Sequence, residues 1–265
     1  MTALEPSTPV FPDAPVASLL HDDGFVALAD GLQRRGGLRA RVTRLATRAR
    51  VGAARTPLAP RVVAPLAALP TVPVTVPDTR SGRRLAAKYA GRERGLPRDL
   101  AVSVLALPET PEDYLRGRSR QALRTNSRRA REQGVTCRAV DPAESARRLE
   151  EVVPDRWYRA IVPGAQADLA AGLCTGWVAE GPDGTTEVVA LTSTAGPLAR
   201  LDLMLSAAER EGDARYLLSA HVVTELAAAG TRLLAVDGAL TLAPGLRHFQ
   251  HLLGFGQATL DVRVA

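Results

Sequence analysis

The sequence predicts an α/β (α+β) fold: a mixed, mostly antiparallel central sheet flanked by helices, preceded by a basic helical extension. Three observations predict it. From residue 136 on, apolar runs and helical periodicities alternate in the order β-α-β-β-β-α-β-α-β. The helix expected over 215–229 lies between a strand at 198–206 and a buried-type strand at 232–236, so it makes one right-handed β-α-β crossover. With 265 residues, 46% of them hydrophobic, the chain can bury a sizeable core. At only 4% aromatics, that core must be Leu, Val and Ala.

Taken in order, residues 1–15 are Pro-rich and predict no packed element. Residues 16–35 read as a helix broken by Gly36-Gly37, and 38–50 as a second, Arg-rich helix; the prolines of 51–70 mark a linker. Residues 1–70 thus form the expected extension and 71–265 the domain. The β-branched runs at 72–76 and 100–107 predict strands, with a basic stretch between them, 78–98, expected as a hairpin crossing. Residues 114–134 predict one long helix that Gly134 ends as a C-cap glycine. A strand at 136–140 and a helix at 143–159 carrying Trp157 and Tyr158 follow, then a short helix or turn at 166–171. Strands at 174–179 and 186–194 pair around Gly181-Pro-Asp-Gly184. The closing elements are the strand 198–206, the crossover helix, the strand 232–236, a short helix at 245–253 and a strand at 257–264.

The net charge is +6, and Lys88 is the sole lysine, so the positive charge is almost entirely Arg. That balance favours an anionic partner. Cys137 and Cys174 stand far apart, which gives neither a disulfide framework nor a zinc spacing; inert thiols in a reducing compartment, and no bound metal, are expected. No apolar run approaches the ~18 residues of a membrane span. The first residues are acidic and Pro-rich rather than a basic leader, so a cytoplasmic protein without membrane contact is expected.

The densest charge lies in 114–134. Leu115, Ser119, Ala122, Asn126, Ala130 and Gln133 recur at helical spacing as a narrow, weakly apolar edge. Arg116, Arg118, Arg120, Arg124, Arg128, Arg129 and Arg131 crowd the remainder, against the single acid Glu132. Guanidinium groups in such excess call for phosphates, a partner's acids or solvent, and a composition this rich in Arg leaves the solvated face open.

Three segments carry a family resemblance: Ser119–Ala130 followed by Gly134; Ala214-Arg-Tyr-Leu-Leu through Gly230 and on to Leu233-Leu-Ala-Val-Asp-Gly238; and Gly245-Leu-Arg-His-Phe-Gln-His-Leu-Leu-Gly-Phe255. Together they resemble the GNAT acyltransferase superfamily, and within it the Fem-type branch that uses aminoacyl-tRNA. The resemblance implies a GNAT-like fold over residues 72–265 and transfer of an acyl group to an amine or thiol. The acceptor would be a small metabolite, a peptide or a carrier protein. No resident cofactor is implied; acetyl-CoA or another acyl-CoA is the alternative donor, and a non-catalytic RNA-binding module is the alternative of another kind. The family's pyrophosphate loop runs Arg/Gln-x-x-Gly-x-Gly/Ala into a helix. The corresponding stretch here offers Arg210, Gly212 and Ala214, with Arg215 after them. It is one residue short, and Glu211 and Asp213 would repel a pyrophosphate. This favours tRNA as donor, held by Arg120, Arg124, Arg128 and Arg131.

Acyl transfer to an amine needs a proton acceptor, an oxyanion site and a proton donor for the leaving group. Asp202 interrupts the apolar run Leu201-Asp-Leu-Met-Leu205, where a carboxylate needs a purpose or a partner; a base, a solvent-facing edge position and an ion pair with Arg200 are all open. Asp237 ends a buried-type strand, as a site residue or as the start of an Asp-Gly turn. Tyr216 opens the crossover helix as a proton donor or a core anchor. His248, with His251 one turn on, lies on the last helix as a site or a structural residue. A backbone N–H of the 198–206 strand, near Leu205, would face the reacting carbonyl.

Overall fold

The structure, a computed structural model, describes residues 69–265 except 91, 94–95, 98–101, 154–158, 160, 208–211 and 239–243. The expected basic extension and the Trp157-Tyr158 pair therefore lie outside the described residues. The elements are β1 (Thr71–Val76), α1 (Arg80–Ala90), β2 (Arg92–Glu93), β3 (Leu96–Pro97), β4 (Val102–Ala106), α2 (Pro111–Tyr114), α3 (Gln121–Glu132), β5 (Thr136–Val140), α4 (Pro142–Val152), α5 (Val162–Ala170), β6 (Thr175–Glu180), β7 (Thr186–Ala195), β8 (Leu198–Ser206), α6 (Asp213–Ala228), β9 (Leu233–Gly238), α7 (Pro244–Leu253) and β10 (Gly256–Val264).

Eight strands form one sheet in the order β1-β10-β4-β9-β8-β7-β6-β5. Its pairs are antiparallel except β8 with β9 and β1 with β10. This is the mixed, mostly antiparallel sheet flanked by helices expected from the sequence. One face packs on α3, α6 and the end of α7, where Leu123, Leu218 and Leu226 are buried with Trp177 and Phe255. The other face carries α1 around Val76, Leu85 and Leu198, and α4 with α5 around Leu149, Leu169 and Leu191. The core is mostly aliphatic, as the composition requires.

The stretch expected as a hairpin crossing is instead the helix α1, followed by the minimal β2–β3 hairpin. Thr79 caps it, accepting the Gly82 N–H on its hydroxyl at 3.0 Å. Leu85 and Ala86 turn inward, with Tyr89 packed beside them, a helical spacing that the surrounding basic residues masked. The long Arg helix is likewise divided. Gly117, at φ +88°, breaks it after α2, and a single 3₁₀ turn (Arg118–Arg120) leads into α3. The buried edge of α3 is Leu123, Ser127 and Ala130, so the edge expected from the sequence is rotated by about one residue. Ser119 and Gln133, expected on it, are exposed. The α3 C-terminus is as expected: Gly134 takes φ +82°, and the Val135 N–H reaches the Ala130 carbonyl at 2.9 Å in a Schellman-type cap. The helix expected over 143–159 ends at Val152, and α5 begins before the turn expected at 166.

Candidate functional site

The centre of the sheet holds an irregularity beside a parallel pair. β8 and β9 share three rungs among the described residues, Leu198–Leu233, Ala199–Leu234 and Arg200–Ala235. Beyond them both strands continue, β8 along β7 and β9 along β4, so the two diverge. The divergence starts at a bulge. Leu191 opposes Leu203 and Thr192 opposes Leu201, which leaves Asp202 as the extra residue of β8. The sheet's β-α-β crossover spans this fork, and α6 follows β8 there, the place where α/β sheets form their sites.

The fork has two unlike faces. On the α1/α5 face, Asp202 accepts hydrogen bonds from Ser193 and from the Arg200 guanidinium. Arg200 is only 7% exposed and Asp202 19%, so the pair is largely withdrawn from water. Ser193 lies directly across from Arg200 on β7, which explains why all three side chains meet. Arg84 of α1 donates to Asp168 of α5 and feels the charge of Asp202 as well; its guanidinium is held above its ordinary pKa, chiefly by the Asp168 hydrogen bond. Cys174 stands in the same field. Burial first, then the Asp202 and Asp168 charges, push its thiol up to about 11. Of this cluster the sequence singled out Asp202 as a site candidate and noted Arg200 beside it. Arg84, Asp168 and Ser193 come from three other elements and carry no local signal.

On the α6 face the fork is apolar. Leu201 and Met204 of β8 meet Val222 and Val223 of α6 around a small cavity. Tyr216, near the start of α6, packs edge-on against Phe249 of α7 at 4.9 Å and is hydrogen-bonded to Asn126 of α3. Burial raises its phenol pKa, so the hydroxyl is protonated at neutral pH. Arg215 lies over the same ring, 5.5 Å from the Phe249 centroid. Gly212 is the exposed N-cap of α6, Asp213 occupies its first turn, and Ala214 is buried in the core. Arg210 lies outside the described residues. Asp237 is on β9 one residue from its end, and its side chain lies outside those described. His248 and His251 are on α7, both exposed.

The Arg candidates divide. Arg120 stacks on the Tyr114 ring at 5.7 Å, and its guanidinium fills the space where Gly254 has no side chain. Arg124 donates to the carbonyls of Leu115 (2.5 Å) and Gly117 (2.7 Å), closing the turn ahead of its own helix. Both are engaged by the protein itself. Arg128 pairs loosely with Glu132 at 3.5 Å and is 71% exposed. Arg131 is exposed, as is Arg129. These three are outward-facing cations of α3. Cys137 lies near Arg131, yet burial dominates and lifts its thiol to about 12. Among the described residues no group of three metal-binding side chains converges, and no helix is long and apolar enough to cross a membrane.

No protein-family model matches the sequence, and no curated protein matches it either. Solved structures resemble it in part. FemX matches at 13% identity over 65% of this chain and 63% of its own, with a TM-score of 0.49. The C-terminal domain of a protein named as a lysylphosphatidylglycerol synthetase from Agrobacterium fabrum matches at 17% identity over 60% and 57%, TM-score 0.46. A tandem GNAT protein from the clavulanic acid biosynthesis pathway matches at 16% identity over 72% and 59%, TM-score 0.41. The chain spans less than two thirds of the length of each. The domain's own topology is an antiparallel run β5 to β8, a crossover through α6, and two parallel strands that fork at a bulge.

Proposed function

We propose that the chain is an acyltransferase of GNAT-like fold that moves an aminoacyl group from aminoacyl-tRNA to an amine or thiol acceptor. The observation that carries this is the fork between β8 and β9, opened by the bulge at Asp202. Strands that part within a sheet present backbone N–H groups to whatever lies between them. Such a preorganised donor stabilises the oxyanion of a tetrahedral intermediate better than water does. In this scheme the ester carbonyl lies in the fork and the acceptor approaches from the charged face. The acceptor nitrogen or sulfur attacks the carbonyl carbon, its proton passes to Asp202, and the tRNA hydroxyl leaves with a proton from Tyr216. Arg200 and Ser193 hold the Asp202 carboxylate in position. Asp237 and His248 remain candidates.

Two features support tRNA as the carrier. The outward Arg128, Arg129 and Arg131 suit a phosphate backbone. The α6 N-terminus, the natural pyrophosphate site, already carries Asp213, which opposes a second anion there. Acyl-CoA on the same fork is the second possibility, because the fork itself suits either carrier.

The test uses the purified full chain with radiolabelled aminoacyl-tRNA and hydroxylamine as a generic amine. Transfer above the uncatalysed rate is expected, and Asp202→Asn should lower kcat by about 10²-fold or more. Stabilisation by coenzyme A with no response to charged tRNA would reverse the carrier. RNA binding with no transfer from either carrier would leave a binding module.

A further inference from the structure

We infer that the acyl group moved by this protein carries a short aliphatic side chain, held in the cavity beneath the fork. This assignment rests on the acyl-transfer function proposed above and adds the chemistry of the group transferred.

The cavity begins where the parallel pairing stops. Leu201, the first residue past the last β8–β9 rung, forms one wall with Met204, and Leu234, on the middle rung, forms the next. Val222 and Val223 of α6 close it from above. A carbonyl lying between the diverging strands would therefore have this space within reach of its α-substituent, on the face opposite Asp202.

Its lining has nothing to offer a polar group. Two hydroxyl-bearing residues line it, Tyr114 and Ser219. Tyr114 donates to the Leu253 carbonyl at 3.0 Å, and Ser219 donates to the Arg215 carbonyl of its own helix at 2.7 Å. Both protons are already placed and the cavity's surface is almost wholly hydrocarbon, so a polar group entering it would lose more hydration than the lining returns. Hydrocarbon loses nothing on entry. The cavity is small, and Met204, unbranched and adaptable, is the wall that sets how much chain it admits. One methylene more or less in such a pocket changes kcat/KM by roughly 10- to 200-fold.

The test is a donor series with the full chain: tRNA charged with alanine, valine, leucine, serine or lysine, and in parallel acetyl-, butyryl- and hexanoyl-CoA. Alanyl or valyl donors, or butyryl on the other carrier, are expected to exceed seryl and lysyl donors by at least about tenfold in kcat/KM. Met204→Ala should shift the preference toward leucyl or hexanoyl donors by a similar factor, and Val223→Ile should shift it toward alanyl or acetyl. A merely structural effect would lower all donors alike. Xenon-pressurised crystals supply a readout without turnover, with a xenon atom expected between Leu201, Met204 and Leu234. Transfer that proceeds equally well with seryl and lysyl groups, or variants that lower every donor by one factor, would overturn the pocket while leaving acyl transfer standing. No transfer from any donor on either carrier would overturn both.

Discussion

A methyl group added at Gly82 would fall 1.9 Å from the Pro77 carbonyl oxygen. Helix propensity alone says that Ala in place of Gly stabilises a helix interior by about 1 kcal/mol. Here the close backbone approach reverses the sign, and Gly82→Ala should destabilise by about 1–3 kcal/mol, read from denaturant midpoints at unchanged m-value. The same residue shows why α1 is hard to see in the sequence. A glycine among Arg80, Arg83 and Arg84 suggests a turn, and the capping role of Thr79 emerges only once Gly82 is placed in the first turn of a helix. Cys174 gives a second residue-scale prediction. With its thiol near 11 rather than 9, its thiolate population at pH 8 is about 100-fold below that of an ordinary cysteine. Iodoacetamide labelling of Cys174 should be correspondingly slow at pH 8 and climb toward pH 11. Fast labelling at pH 8 would contradict its placement beside Asp202. The inert thiol expected from sequence thus has a physical basis, burial first and then two carboxylates from distant elements near it.

At the scale of elements, β5, α4 and β6 are tied by charge. Arg138 of β5 bridges Glu144 of α4 and Glu180 of β6, and Arg148 of α4 reaches Glu144, Glu151 and Glu180. The Arg138 hydrogen bond, aided by Arg148, holds the Glu144 carboxyl down at about 2, against an ordinary 4.5. A carboxylate depressed in the folded state contributes stability that is present above 4.5 and lost as pH falls toward 2. The wild-type Tm should therefore drop through that window, and Glu144→Gln should flatten the drop; an identical pH profile in the variant would contradict it. Such a clamp suits an edge strand with little buried surface of its own. The element boundaries from residue 186 on were legible because strands there are predominantly apolar runs bounded by Gly and Pro. The split of the Arg run was not, because nothing local says that Gly117 adopts a left-handed conformation rather than continuing a helix. The result is a register error: an edge drawn from a continuous helix through Gly117 comes out rotated once that helix is broken.

For the molecule as a whole, the question is whether its outward charge meets a polyanion. Arg120 and Arg124 are poor probes, since removing either disturbs the turn at 115–120 or the packing on Gly254. Arg128, Arg129 and Arg131 replaced together by Gln should leave Tm nearly unchanged and weaken tRNA binding. Every phosphate no longer neutralised should flatten the slope of log K against log salt by about 0.7–0.9. An unchanged slope would remove α3 from the RNA surface. The overall fold was legible from alternation alone from β5 onward. What the sequence could not show was the sheet's order, in which β4 lies between β9 and β10. Long-range pairing of this kind leaves no trace in any local window.

That order has a consequence for biosynthesis. Thr71 to Val76 of β1 pair in parallel with Thr259 to Val264 of β10, and β10 also pairs with β4. While a ribosome is still making the chain, β1 lacks its partner β10 until Gly256 to Val264 have emerged, so its edge stays available to other chains until then. Ribosome-stalled fragments ending before Gly256 should yield aggregates that recruit chaperones, whereas fragments including Val264 should be released soluble.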